Sequence, residues 1–228
     1  MALSSERTGV ARARPGRQDA ILRKFTDKVA SQGYDGTSLS EIAADLGVSK
    51  GTIMHHYGAK ENILRRMSLG YMERRLAELE LIWEEYDSSF ERLATVITAL
   101  ITAFRDDRAA TQAFSREFMR FADQPVMEEV RRQRERYSKM VRDELERGMA
   151  QGVFRRLDSR IVTLQLIGMC NWGWTWIDPE GPLSVEAIAT IYTETILGGL
   201  LVRRAASPEL GLPDAIVQAR ILTREADA

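Results

Sequence analysis

The chain has 228 residues, enough for one large or two small domains, and its 44% hydrophobic and 29% charged composition is that of a globular protein, which excludes wholesale disorder. A formal charge of −1 hides an asymmetry: residues 1–60 carry a surplus of three positive charges and the rest carries −4, which fits contact with a polyanion through one end. Cys170 is the single cysteine, so an intrachain disulfide is excluded and a reducing, cytoplasmic setting is expected.

Residues 1–16 read as a flexible basic arm: Arg12 and Arg14, with Arg17 at its border, are set in a stretch lacking the apolar run of a secretory signal. From there apolar residues recur at helical spacing almost to the end, as in Leu76, Leu79, Ile82 and Trp83, then Leu93, Val96, Ile97, Leu100 and Phe104. No sustained alternation of β-branched residues competes, so the fold class is all-α. Glycines and prolines punctuate the pattern at Gly33, Gly36, Gly47, Gly58, Pro125, Gly152, Pro179 and Pro208, which predicts about nine helices. Ser38 with Glu41 and Ser88 with Glu91 have the spacing of capping boxes, and Ser184 opens a later helix. A three-helix unit is expected over residues 17–63, a helical body over 64–204, and a frayed tail over 205–228. The charge-free span Ile161 to Ile177 is about 17 residues long, at the short limit for crossing a bilayer, and contains Thr163, Gln165, Asn171 and three tryptophans; a buried helix and no membrane contact are expected.

The informative segment begins at Thr37. Ser38 caps a short helix whose Leu39, Ile42 and Leu46 share one face, Ala43 permits close approach of a neighbour, and Gly47 supplies the left-handed turn that ends it. Val48 plugs the corner. Ser49 then caps a second helix on which Lys50, Gly51 and Thr52 point outward while Ile53 anchors the core. A helix presented by its N-terminal end suits the major groove: Lys50 can donate to guanine O6 or N7, Gly51 lets the backbone come close, and Thr52 can bond a phosphate or touch a thymine methyl. His55 adds a further donor to that face. His56, Tyr57 and Lys60 stand where phosphates are clamped, at the end of this helix and the start of the next. Spacing and caps alone fit any two-helix corner of an all-helical protein as well.

From about Arg17 to Leu64 the sequence resembles the DNA-binding domain of the tetracycline-repressor (TetR) family of bacterial regulators, with TSLSEIAADLGVSKGTIMHHYGAKENIL following the pattern almost position by position. Two departures stand out. Gly58-Ala59 replaces the Ser or Asn usual before the lysine, which weakens the cap of the fourth helix, and Met54 stands where an aromatic is usual. The resemblance implies a double-stranded DNA operator read by the set from Ser38 and Ser49 to Lys60, Met54 included, and a helix-turn-helix domain joined to a ligand-binding and dimerisation domain. It also implies a homodimer in which two C-terminal helices of each copy pair. Leu164 and Gly168 on one predicted helix, and Ile188, Tyr192, Thr195 and Gly199 on another, suit that seam, with an internal core as the alternative.

A hydrophobic small-molecule effector is the remaining implication. Phe104, Phe114, Phe118, Phe121, Tyr137 and Met140 are candidate pocket residues, joined by Gln165, Asn171, Trp172 and Trp174, although aromatic and methionine residues at helical spacing equally describe a core. The stretch NWGWTWIDPEGPLS resembles that of family members responding to acyl-CoA thioesters. Arg131, Arg132, Arg134, Arg136 and Arg142 could hold CoA phosphates, but they alternate with Glu128, Glu129, Glu135, Asp143 and Glu144 as a solvated helix face would. Catalysis is not expected: both histidines are adjacent in the DNA-reading unit, Cys170 has no histidine near it, and no metal, cofactor or phosphate-loop motif is present. A regulator without any effector, or an activator, remains open.

Overall fold

The structure is a computed structural model and describes residues 16–202; Arg12, Arg14 and the expected tail lie outside the described residues. Among the described residues nine α-helices form an all-α fold: α1 (Arg17–Gly36), α2 (Leu39–Asp45), α3 (Lys50–Tyr57), α4 (Lys60–Glu85), α5 (Ser89–Asp106), α6 (Arg108–Phe121), α7 (Glu128–Ala150), α8 (Ser159–Asn171) and α9 (Val185–Leu200). Short 3-10 turns at Pro125–Met127 and Trp172–Thr175 complete the described residues, with one isolated bridge between Phe154 and Leu201. The predicted helix starts are built as the side chains dictate. Ser38, Ser49, Ser88 and Ser184 each accept a backbone N–H of the first turn, and Asp158 accepts two at the start of α8. α4 starts at Ala59 with no side-chain cap, as the Gly58-Ala59 departure implies.

α5 is the axis of the body. From Leu93 to Phe104 every residue is buried, so this helix is apolar all round and must be wrapped, by α9 most extensively and by α4, α6, α7 and α8. The smaller unit, α1 to α3, is bolted on through α1, which packs along α6, and through α4. α1 is not a straight rod. Gly33 adopts φ 79°, ψ 168°, a conformation open to glycine alone, and bends the last turn.

The charge-free span from Ile161 to Ile177 is not one long helix. α8 ends at Asn171 and the chain tightens into the 3-10 turn at Trp172, and no helix among the described residues is long and apolar enough to cross a membrane. α7 closes against the bridge strand: a Cβ at Gly148 would lie 2.2 Å from Phe154 Cδ2, and Phe154 is itself fully enclosed. Gly148→Ala is therefore expected to destabilise the protein by about 1–3 kcal/mol through overpacking. Gly70→Ala, whose Cβ would meet only the Arg74 side chain at 3.6 Å, should stabilise it by about 0.5–1 kcal/mol through helix propensity. Thermal melts of the two variants check this, and equal melting temperatures would contradict it.

Candidate functional site

The corner between α2 and α3 is made by backbone hydrogen bonds that only a left-handed residue permits. Gly47 has φ 64°, its N–H donates to Ala44 O at 3.1 Å, and the Val48 N–H donates to Ala43 O at 2.9 Å, closing α2 in a Schellman turn. Val48 is half-buried against the core, as the corner plug should be. Ser49 Oγ accepts the Thr52 N–H at 3.0 Å and lies 3.0 Å from Thr52 Oγ1, so α3 begins with its first turn held. Ile53 is fully buried, whereas Lys50, Gly51, Met54, His55 and His56 are exposed. Lys50 has no ion-pair partner among the described residues, so its charge and the positive end of α3 face solvent together. That is the geometry for meeting phosphates and base edges.

Besides Ser49 and Thr52 in their mutual cap, three of the expected DNA-facing side chains are engaged with the protein itself. Ser38 caps α2. The Tyr57 hydroxyl donates to Gln18 O at 3.0 Å, tying the end of α3 to the start of α1. Lys60 is half-buried, donates to Tyr34 O at 2.6 Å and sits 4.2 Å from the centre of the Tyr34 ring. Burial draws its pKa below the ordinary lysine value against the pull of Asp35, Glu61 and Glu117. Its ammonium thus braces the α1 bend instead of standing free for a phosphate.

Tyr34 is a junction that the linear sequence does not advertise. Its N–H, released from the helix by the Gly33 bend, donates to Glu117 Oε1 of α6 at 3.0 Å. Glu117 is 1% exposed and also receives Arg120 Nη1 at 2.8 Å. Phe121, a candidate pocket residue, packs edge-on against the Tyr34 ring at 4.7 Å and so belongs to this junction.

Hollows in the body bring some of the candidates together. A cavity of about 30 Å³ is surrounded by α4, α5, α6, α7 and α8, and Phe114, Tyr137 and Asn171 of the expected pocket set line it. Phe118 stands behind Phe114, stacked at 5.1 Å, and Phe114 in turn stacks on Tyr71 at 4.4 Å. A wider pocket of about 220 Å³ opens between α5, α6 and the tryptophan turn, and Phe104 and Trp174 line it beside Arg108 and Asp178. Met140 is half-buried against the core and lines neither hollow.

The remaining candidates separate by helix face. Gln165 and Trp172 do not point into either hollow; they share the exposed face of α8 with Leu164, 65% exposed, and with Ile161, Gly168 and Met169. Gly168 would meet nothing within 4 Å if it bore a Cβ. On α9, Thr195 is exposed, Gly199 and Tyr192 are half-buried, and the Tyr192 hydroxyl donates to Met169 O at 3.4 Å. Ile188 faces inward and belongs to the core, as do Cys170, Leu197 and Leu200. Burial pushes the Cys170 thiol up to about 12, so it is inert as a nucleophile.

The arginine-rich helix α7 is for the most part a solvated, paired face. Arg132 pairs with Glu128 at 3.0 Å and with Glu129, Arg136 with Glu80 at 2.8 Å, and Arg131 caps the carbonyls of Ala122 and Gln124. Arg134 differs: it lies 5.0 Å from the Phe118 ring and lines the smaller cavity. Arg75 was not anticipated at all. It is 2% exposed, lines the same cavity, and pairs through Nη2 with Glu78 at 2.7 Å. Burial alone would lower its pKa, but the charge of Glu78 and its neighbours outweighs that and the shift is upward, so the guanidinium stays charged. An arginine on the otherwise apolar face Met72, Leu76, Leu79 was the available signal.

The chain matches two family profiles: one described as bacterial regulatory proteins, tetR family, over residues 20–67, and one described as tetracyclin repressor-like, C-terminal domain, over residues 86–200. It is 27% identical over 186 residues to the HTH-type transcriptional repressor KstR2 of Mycolicibacterium smegmatis, an alignment spanning 81% of this chain and 90% of that protein. The structure of the ketosteroid transcriptional regulator KstR2 of Mycobacterium tuberculosis superposes with a TM-score of 0.76 at 25% identity, covering 86% of this chain and all of that one. AibR, solved in complex with isovaleryl coenzyme A and operator DNA, shares the fold with a TM-score of 0.72 at 23% identity, over 79% of this chain and 97% of that one.

The free N-terminal end of α3 generates one prediction. Lys50→Ala should weaken binding to DNA selected from random sequence by about 1–3 kcal/mol and relax the preference at one base pair. Gel shifts across a salt series measure both effects, and unchanged binding would remove the base-reading role.

Proposed function

The chain belongs to the tetracycline-repressor family of bacterial transcriptional regulators, which are not enzymes, and from that premise we propose that it is a repressor that grips a palindromic operator as a homodimer and releases it when a hydrophobic small molecule enters its body. Residues 17–63 serve as the reading head and 64–204 as the effector-binding and dimerising body, working in the cytoplasm. The observation that carries the reading is the exposed start of α3, held by the Gly47 turn and the Ser49 cap with Lys50 at its tip. Lys50, Gly51, Thr52 and His55 take the base edges, with Met54 beside them. His56 reaches the backbone, and the tyrosine and lysine at 57 and 60 hold the head in shape.

Dimerisation follows from the apolar face of α8. Leu164, Met169 and Trp172, with Ile161 and Ile191, expose large side chains at helical spacing, an arrangement that a lone copy in water would not favour. Pairing that face about a two-fold axis sets two reading heads about one DNA turn, roughly 34 Å, apart. A change in their separation weakens both half-site contacts at once.

The coupling runs through α6. One face of this helix carries Phe114 and Phe118 beside the small cavity and, towards its C-terminal end, Glu117 and Phe121 at the Tyr34 junction. A compound that wedges the cavity apart shifts α6, and α1 with its reading head must follow or lose the bond to Glu117. To move the protein from 99% competent to 99% incompetent, the compound must prefer the released form by about 10⁴-fold, or about 5.5 kcal/mol.

The test is to select the bound DNA from random sequence and challenge the complex with acyl-CoA thioesters and hydrophobic extracts. A palindrome with half-sites about 10 bp apart, released by at least one compound, is expected. Leu164→Glu should yield a folded monomer whose operator affinity falls more than about tenfold, as read by sedimentation and gel shift together. A dimer that survives this substitution with full affinity would contradict the proposed seam.

A further inference from the structure

Arg75 ends in a charged fork of which only one branch is used. Nη2 meets Glu78 at 2.7 Å and stands 3.8 Å from Asp107, while Nε and Nη1, both shut off from solvent, have no hydrogen-bond partner among the described residues. Buried donors of this kind are satisfied in folded proteins with few exceptions, and an exception beside a cavity points to a missing acceptor. The cavity is there: Arg75 lines it together with Tyr71, Met72, Leu100, Phe114 and Ile167. Its volume of about 30 Å³ holds one carbonyl oxygen or one or two waters and leaves the body of a larger molecule to spread along these walls.

The charges around the fork decide what kind of acceptor fits. Asp107 is held by Arg74, with Nη2 at 2.7 Å and Nε at 3.1 Å, and Glu78 is paired with Arg75. Around the fork itself two arginines and two carboxylates therefore balance; the third arginine of the lining, Arg134, is half-exposed and lies against the Phe118 ring. A carboxylate or phosphate pushed against Arg75 would add an uncompensated negative charge next to Glu78 and Asp107 in a medium of low dielectric. A neutral oxygen satisfies the same N–H groups without disturbing the balance. Beyond the fork the walls are mostly apolar or aromatic, with Arg134, Ser138 and Asn171 as their polar members, and the stacked pair Tyr71 and Phe114 offers a flat face.

We propose that Arg75 is the anchor of the effector site, and that the effector is an apolar molecule bearing a neutral carbonyl or hydroxyl oxygen that accepts from Arg75 Nε and Nη1. This rests on the effector-released reading above and names the chemistry of its ligand. The apolar body stacks along Tyr71 and Phe114, and Met72 supplies the give that lets the cavity widen.

Three matched probes test it on the full-length protein: 2-acetylnaphthalene, 2-ethylnaphthalene and 2-naphthoate, with affinities read by thermal-shift titration. The ketone should bind about 10- to 100-fold more tightly than the ethyl analogue, the span expected for a hydrogen bond to a charged donor, and naphthoate should bind more weakly than the ketone. Arg75→Lys keeps the charge beside Glu78 but loses the fork, and should bring the ketone and the ethyl analogue level while leaving the ethyl analogue's own affinity unchanged. The paired variant Arg75→Met with Glu78→Leu removes both charges together, keeps the protein foldable and should do the same. Equal affinities for ketone and ethyl analogue in the unaltered protein would mean that a water satisfies the fork and would overturn the proposal. A preference for naphthoate, or no binding of any probe, would overturn it too. Gel shifts on selected DNA read the regulatory role separately: probe discrimination without any DNA recognition would contradict that role and leave the Arg75 site standing.

Discussion

The backbone of one residue ties the two halves of this protein together. The Tyr34 N–H is spent on Glu117 of α6 and the Tyr34 carbonyl accepts from Lys60 of α4, so the two peptide groups flanking Tyr34, near the end of α1, are clasped from two directions. The clasp exists because Gly33 leaves the helical conformation: in a regular helix the Tyr34 N–H would be consumed by the preceding turn. A side chain at position 33 would face a twofold obstacle, the unfavourable φ and the Arg116 guanidinium 2.9 Å from its Cβ. Glu117 in its turn is tolerable in the interior because Arg120 pairs with it and the Tyr34 amide donates to it.

From this clasp the division of labour follows. α5 is surrounded on all sides and forms the axis of the body, whereas α6 contributes one aromatic ring to the cavity, Phe114 backed by Phe118, and one carboxylate to the junction. Packed cores are poorly deformable, so opening a hollow of about 30 Å³ to admit a whole ligand must displace a helix rather than a side chain or two. Of the helices around that hollow, α6 packs most extensively on α1. In the proposed mechanism α1 to α3 therefore move with the wall of the cavity, with the Tyr57 bond to Gln18 tying α3 to α1.

The corner between α2 and α3 was legible in the sequence because its chemistry is local. A glycine in a left-handed turn, a serine three residues before the N–H it accepts, and an isoleucine one turn in are all read within a dozen positions, and each is found as expected. The body was legible only as helices. A period of 3.6 says which residues share a face but not which face is inward: hence Gln165 and Trp172 turn out, Ile188 turns in, and Phe121 serves a junction instead of a pocket. Lys60 lies next to the helix start that suggested a phosphate contact, yet its carbonyl partner is 26 residues away in sequence. Glu117 and Arg75 are the sharpest losses. Each is one charge on a helix until segments distant in the chain enclose it: the Tyr34 amide, 83 residues away, for Glu117, and the cavity walls from α5 to α8 for Arg75.

The most direct measurement of the coupling is the response of Glu117→Ala to a compound that frees the unaltered protein from its operator. With the clasp intact, binding of that compound and release of DNA occur over the same concentration range. The account predicts that Glu117→Ala binds the compound as tightly as before but holds the operator at concentrations at least about fivefold higher, because the coupling free energy has been reduced. Release at the original concentration, with compound affinity unchanged, would contradict it.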